Sequence, residues 1–261
     1  MFARLRTFAL GGVLGAALLA PLPATAQADE EPLPRFEDAL CPGVVGLKQD
    51  AAETMVGRLR ANADMLGLRM AENGDCEANF IVAFVADGQT FLSQLEDRSS
   101  YLFAEMPREE RQSLLAEPGP ARVMLRVRAR SRDGMPISRR ENLTDLPQTA
   151  MWMAHSKIYS ATRNDILSAL VLFDRNEISG LNLDQLADYA TFRGLVHRLS
   201  DPAASGHSSI LALFDASAPR PAGLTEFDRA YLAQLYAGMA NLPAPAKLAD
   251  LSHATGTDVA E

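Results

Sequence analysis

The chain has 261 residues, 48% hydrophobic and 22% charged, with a formal net charge of −8. That composition is ordinary for a soluble globular protein. The acidic balance argues against general nucleic-acid binding, which needs a surplus of Lys and Arg against phosphate.

The first residues divide into a short positive start (Arg4, Arg6), an apolar run from Phe8 to Ala20, and small residues at Ala24-Thr25-Ala26. This is the pattern of a secretory signal peptide over residues 1–26, with a second possible cut after Ala28. The run is shorter than the ~20 residues a membrane span needs, so no stable membrane insertion is expected after cleavage. Loss of Arg4 and Arg6 would take the net charge from −8 to −10. The expected location is exported, either periplasmic or secreted. There, the two cysteines Cys41 and Cys76 favour a structural disulfide. The rival reading, a redox or metal pair, lacks a CxxC spacing and nearby histidines.

Residues 27–36 are acidic and Pro-rich and predict a flexible leader. Residues 37–240 predict a single domain, and residues 241–261 a disordered tail. Asp50 with Glu53 reads as a capping box before a helix striped by Met55, Leu59 and Leu66, with Gly67 near its end. The apolar run 79–88 predicts a buried strand, 89–103 a helix, and 107–117 a short helix with Pro107 at its first position.

Residues 121–134 alternate strictly. Val123, Leu125, Val127 and Ala129 point one way, and Arg122, Arg126, Arg128, Arg130 and Arg132 the other. Such an arginine face either grips an anionic ligand or lies open to water with its stems over apolar surface. Further strands are predicted at Ser156–Ser160 and Ile166–Phe173. A helix capped by Asn182 and Gln185 then spans about 183–197, and a last helix is capped by Thr225 and Asp228 and ended by Gly238. The order of elements predicts an α+β domain with a mixed, mostly antiparallel sheet.

The stretch "LADYATFRGLVH", Leu186 to His197, has the length of the zinc-binding helix H-E-x-x-H-x-x-G-x-x-H, with Gly194 and His197 in place. "SDPAASGHSSILALFD" is similar to a Met-turn stretch, with Leu211 where methionine would stand. "LTEFDRAYLAQLYAG" is similar to the closing helix of such domains. Over Ile166 to Gly238 the chain therefore resembles the matrixin-like zincins. The resemblance implies a zincin-like fold, in which that helix packs behind the Ile166–Phe173 strand.

The departures bear on the chemistry. A catalytic zinc helix needs two histidines at i and i+4 to reach one ion, and a glutamate to polarise the attacking water. This chain has Ala187, Asp188 and Thr191 at those vestigial positions, leaving His197 alone. No metal and no cofactor is expected. Ala187, Ala190 and Gly194 share a face suited to close packing. Asp188 reads as a solvated helix carboxylate and His197 as a helix C-terminal histidine meeting the dipole. His155, His207 and His253 have no ligand spacing, although His207 could approach His197 across the loop. G-x-S-x-G, phosphate-loop and dinucleotide-binding patterns are all absent.

The expectation is thus a non-catalytic zincin-like domain that binds peptide or protein in the cell envelope, by strand addition beside an exposed sheet edge. The alternative is an active hydrolase using groups outside the motif, such as His197 and His207.

Overall fold

Parallel strands are buried on both faces and read as unbroken apolar runs, whereas one-sided strands alternate. The runs "FIVAFV" and "ILSALVLF" are of the first kind, and they form the centre of the sheet. The computed structural model describes residues 31–72, 76–137, 158–197, 207–249 and 251.

Strand β1 (Pro42–Val45) is followed by helix α1 (Gln49–Met65) and strand β2 (Phe80–Val85). Helix α2 (Gly88–Arg98), a 3-10 turn at Ser100–Phe103 and helix α3 (Arg108–Ala116) come next. Strands β3 (Ala121–Ser131) and β4 (Thr162–Asp174) lead to helix α4 (Leu183–Leu195). A 3-10 turn at Ile210–Phe214 precedes helices α5 (Glu226–Tyr236) and α6 (Ala244–Lys247). The sheet order is β1-β2-β4-β3, a four-stranded sheet in a mixed α+β fold. β1 pairs parallel with β2 and β2 with β4, while β3 pairs antiparallel with β4.

The expected mostly antiparallel sheet is therefore corrected: two of the three pairings are parallel. The physical reason is α1, a crossover that brings β2 back alongside β1 in the same direction, which a hairpin cannot do.

Helices cover both faces. On one, Phe80, Val82, Phe84, Val171 and Phe173 pack against α1, α4 and α5. On the other, Ala83, Met124 and Leu172 meet Leu92 of α2, Phe103 and Leu114 of α3. Gly194 makes the first contact close: a Cβ there would strike the Phe80 ring. With a larger residue at that point, α4 could settle on β2 only by displacing that ring. Its start carries both halves of the Asn182–Gln185 capping box, and α5 carries both halves of the Thr225–Asp228 box.

α1 departs from its predicted start. Lys48 is the N-cap and makes no side-chain cap bond, so Asp50 sits inside the first turn and acts there through the helix dipole. Pro107 stands one place before the first turn of α3, as its N-cap. Of the predicted strand at 156–160, residues 156–157 lie outside the described residues, and 158–160 are irregular backbone, bent at 158–159, ahead of β4.

Cys41 and Cys76 are disulfide-bonded, closing a sequence separation of 35 residues. In the chain-entropy account such a loop stabilises the fold by roughly 4 kcal/mol.

Residues 31–36 and 241–249, predicted as leader and tail, both lie on the folded body. Pro32 bridges Pro243, and Arg35 bridges Asp165 of β4. The buried Arg35 guanidinium donates to the carbonyls of Leu235 (3.2 Å) and Gly238 (3.0 Å) at the end of α5. Lys247 donates to Ala237 O at 2.5 Å in the same place. Two cations thus satisfy carbonyls that a helix C-terminus leaves without partners. The predicted signal peptide and residues 252–261 lie outside the described residues. No helix among the described residues is long and apolar enough to cross a membrane.

Candidate functional site

α4 is nearly all buried, which its sequence permits because small residues line it. Ala187 is fully buried in the main core beside Ala190. Asp188 is also fully buried, which corrects the expectation of a solvated carboxylate. Arg58 of α1 clasps it with Nε on Oδ1 (2.7 Å) and Nη2 on Oδ2 (2.8 Å). Asn62 Nδ2 donates to Oδ1 (2.8 Å), and the Leu224 amide to Oδ2 (3.0 Å). Burial by itself would raise the Asp188 carboxyl. The hydrogen bonds from Arg58, Asn62 and Leu224 outweigh it and hold the group below the usual carboxylate range.

Thr191 completes the cluster. Its hydroxyl accepts from Asn62 Nδ2 (2.9 Å) and donates to Ala187 O (2.8 Å). The loop above is fitted to the same carboxylate, since a Cβ on Gly223 would lie 2.5 Å from Asp188 Oδ2. Two of the four vestigial positions, Asp188 and Thr191, therefore bind α4 to α1, and Asp188 also binds it to the 223–224 loop. Asp188 has four donors on two oxygens and is fully committed to structure.

His197 follows a different course. α4 ends at Leu195, Val196 is extended, and His197 lies beyond the helix. Its Nε2 is 3.1 Å from Glu110 Oε1 of α3, and its side chain is 12% exposed. Its neighbour is thus a carboxylate on another element and not the end of its own helix, so the dipole reading is corrected. His207 stacks on Phe227 of α5, with ring centroids 4.8 Å apart. His155 and His253 lie outside the described residues. Leu211 sits in the 3-10 turn at Ile210–Phe214, partly buried against the main core. Asp228 holds that turn in place, accepting from Ser209 Oγ (2.6 Å) and the Ile210 amide (2.7 Å).

A zinc ion of the kind the resemblance implies does not fit these residues. Ala187 and Thr191 offer no imidazole, Asp188 has no free lone pair directed outward, and His197 meets only one carboxylate. Among the described residues no group of three or more His, Cys, Asp or Glu side chains is placed to hold a metal.

The arginine strand is also altered. A bulge between Arg126 and Val127 breaks its alternation. Arg122 is buried against Asp174 at 2.9 Å, Arg128 pairs with Glu105 at 2.9 Å, and Arg130 approaches Asp165 at 3.5 Å. The five arginines are thus neither a water-open face nor one anion grip. Arg126 makes no ion pair among the described residues and lines a groove.

That groove runs along the outer edge of β3. Among the described residues no strand pairs with β3 on that side, apart from a bridge from Arg130 to Pro136. One section, of about 240 Å³, is lined by Leu102 and Met106 on one bank, Leu33 on the other, and Leu125, Val127 and Ala129 of β3. The next section, of about 370 Å³, continues past Val123 between α3 and the end of α4. His197 and Glu110 line both sections. The apolar alternation of β3 foreshadowed its inner face. The groove itself could not be read from sequence, because residues distant along the chain form its banks.

Compared with known proteins, the chain matches no family model, no curated protein and no solved structure.

Proposed function

We propose that this protein is an exported, non-catalytic domain on a zincin-like scaffold, which binds an extended peptide segment along the outer edge of β3. The observation that carries this reading is the groove itself: an antiparallel edge strand that, among the described residues, no further strand pairs along Leu125–Ala129, with apolar walls for alternate side chains. Strand addition uses these two features, backbone hydrogen bonds for affinity and side-chain pockets for selectivity. Unpaired strand edges are usually blunted by charge, proline or cover, so a lined and open edge suits a binding role. Arg126, half-buried in the groove and without an ion pair among the described residues, fits a segment bearing a carboxylate side chain.

The non-catalytic part of the reading rests on the Asp188 cluster. The residue standing where a zinc peptidase has its general base has its oxygens occupied by Arg58, Asn62 and Leu224. The rest of that site is filled with Ala187 and Thr191. The zincin kinship is supported by the helix frame from Leu183 to Leu195 lying against the sheet that contains β4, and by an antiparallel strand at the sheet edge.

Two measurements test the proposal. Protein comprising residues 27–261, purified without chelators, is expected to carry far less than one zinc per chain, with no change in His197→Ala. Near-stoichiometric metal lost in that variant would favour a hydrolase instead. Amide hydrogen exchange with an arrayed library of extended decapeptides is expected to slow at Leu125–Ala129 in the presence of binders. Protection appearing only elsewhere, or no binder at all, would remove strand addition at β3.

A further inference from the structure

Of the 25 basic residues in the chain, three are lysines, Lys48, Lys157 and Lys247, and the rest are arginines. One of the three is enclosed: Lys247, the last residue of α6, is 3% exposed. Its ammonium donates to Ala237 O at 2.5 Å, just past the end of α5. Arg35 Nη1 reaches the same oxygen at 3.4 Å, so two buried cations converge on one carbonyl. Among the described residues Lys247 makes no ion pair. The neighbouring carboxylate, Glu37, is already held by Arg35 Nε at 2.5 Å and by Arg163 Nη1 at 3.4 Å.

The remaining charged and titratable groups of this region are engaged with one another. Asp165 and Arg163 of β4 pair at 2.9 Å, and Arg130 of β3 approaches Asp165 at 3.5 Å. The Tyr236 hydroxyl of α5 accepts from the Phe36 amide at 3.2 Å. α6 has no charged residue besides Lys247. Burial disfavours the ammonium most, the Arg35 charge adds to this, and Glu37 only partly offsets them. The Lys247 amine is therefore held below its ordinary value, at about 8.

Arginine keeps its charge at any ordinary pH, whereas a buried lysine can shed it. A neutral amine still donates to Ala237 O and no longer opposes Arg35. We infer that Lys247 makes the C-terminal segment 241–249 a pH-responsive latch on the end of α5, which grips more tightly as pH rises through the alkaline range. The segment is also bonded to the N-terminal strap, through the Ala244 amide on Glu31 O (3.2 Å) and the Pro32–Pro243 bridge. Both ends of the folded body therefore respond together. In the released segment Lys247 is solvated and titrates near ~10.4. Between about 8 and that value the released form binds a proton that the latched form has given up, so the latched form gains as pH rises. Below that window both forms are protonated, and the latch is at its weakest.

Two readouts test this. Protein labelled with 13C at lysine Cε gives one signal per lysine, and that of Lys247 is identified by its loss in Lys247→Met. Its titration midpoint is expected near pH 8. Protection of the Ala244 and Leu248 amides from hydrogen exchange, taken relative to the free-peptide rate at each pH, is expected to rise about tenfold from pH 7 to 9. Lys247→Met and Lys247→Arg have no proton to lose in that range, and their protection is expected to stay flat. Either variant suffices if the other fails to fold. A midpoint at the ordinary ~10.4, constant protection in wild type, or a rise that persists in the variants would overturn the latch.

Discussion

The two ends of α4 have opposite fates. Near the start, Ala187, Asp188 and Thr191 are sealed beneath α1, and every polar atom of the Asp188 carboxylate has a partner. Beyond the last turn, His197 faces a groove and meets a single carboxylate. Residues that in a zinc helix would act together are divided here between core and surface. The difference teaches that a motif's frame can persist as packing. Gly194 is needed because Phe80 lies against it, whether or not any metal is bound.

The sharpest way to break this comparison is to remove the buried end. Asp188→Ala leaves the buried Asn62 side chain and the Leu224 amide without their acceptor, while Arg58, with 38% of its side chain exposed, can turn to water; each orphaned buried donor costs about 1–3 kcal/mol. Urea denaturation should show that loss. His197→Ala should cost about 1 kcal/mol or less by the same method, since a partly exposed pair contributes little. Equal costs for the two substitutions would mean that the ends of α4 do not differ as described.

Next in size is Gly194→Ala. The added methyl has to displace the Phe80 ring in a packed core, an overpacking cost of about 1–3 kcal/mol. A thermal melt indistinguishable from wild type would show that β2 and α4 are less tightly fitted than the structure has them.

The pH dependence follows from the depressed Asp188 carboxyl. A group whose folded value lies below its unfolded value adds stability that is fully present above the unfolded value, ~3.9 for Asp. That stability is lost as pH falls through the folded value, because protonation then favours the unfolded chain. Wild type should therefore exceed Asp188→Asn in stability by a constant margin from pH 5 to 7. The margin should narrow as pH drops below about 4. A margin that stays unchanged down to pH 2.5 would contradict the clasp. The smallest expected effect concerns the open groove: Arg126→Ala should weaken peptides bearing a carboxylate by only a few-fold, as exposed ion pairs allow. It should leave uncharged peptides unaffected, as fluorescence anisotropy can show.

Several of these features were legible in the residues alone. The Asn182–Gln185 and Thr225–Asp228 boxes needed only local spacing, and both formed. The Cys41–Cys76 pair followed from cysteine number and from the export that the first residues predict. The Asp188 clasp was missed, although a signal existed. Asn62 interrupts the apolar stripe of α1 between Leu59 and Leu66, and Arg58 lies four residues before it on the same face. A polar residue in a buried stripe requires a polar partner, and no local rule says where that partner lies. The parallel sheet was missed for a related reason. The four-residue β1 is too short to give a period, and the apolar runs of β2 and β4 state that they are buried but not in which direction they pair.

The sequence by itself determined the caps, the disulfide partners, the small-residue face of α4 and the absence of a histidine pair on it, because each depends on neighbours within one or two turns or on residue identity alone. Only the tertiary structure decided that Asp188 is a clasp, that Arg122, Arg128 and Arg130 meet separate carboxylates, and that His197 meets Glu110 of α3. Those outcomes depend on which distant segments the sheet brings together, and burial turns a charge that would be solvated on an isolated helix into one that has to be paired.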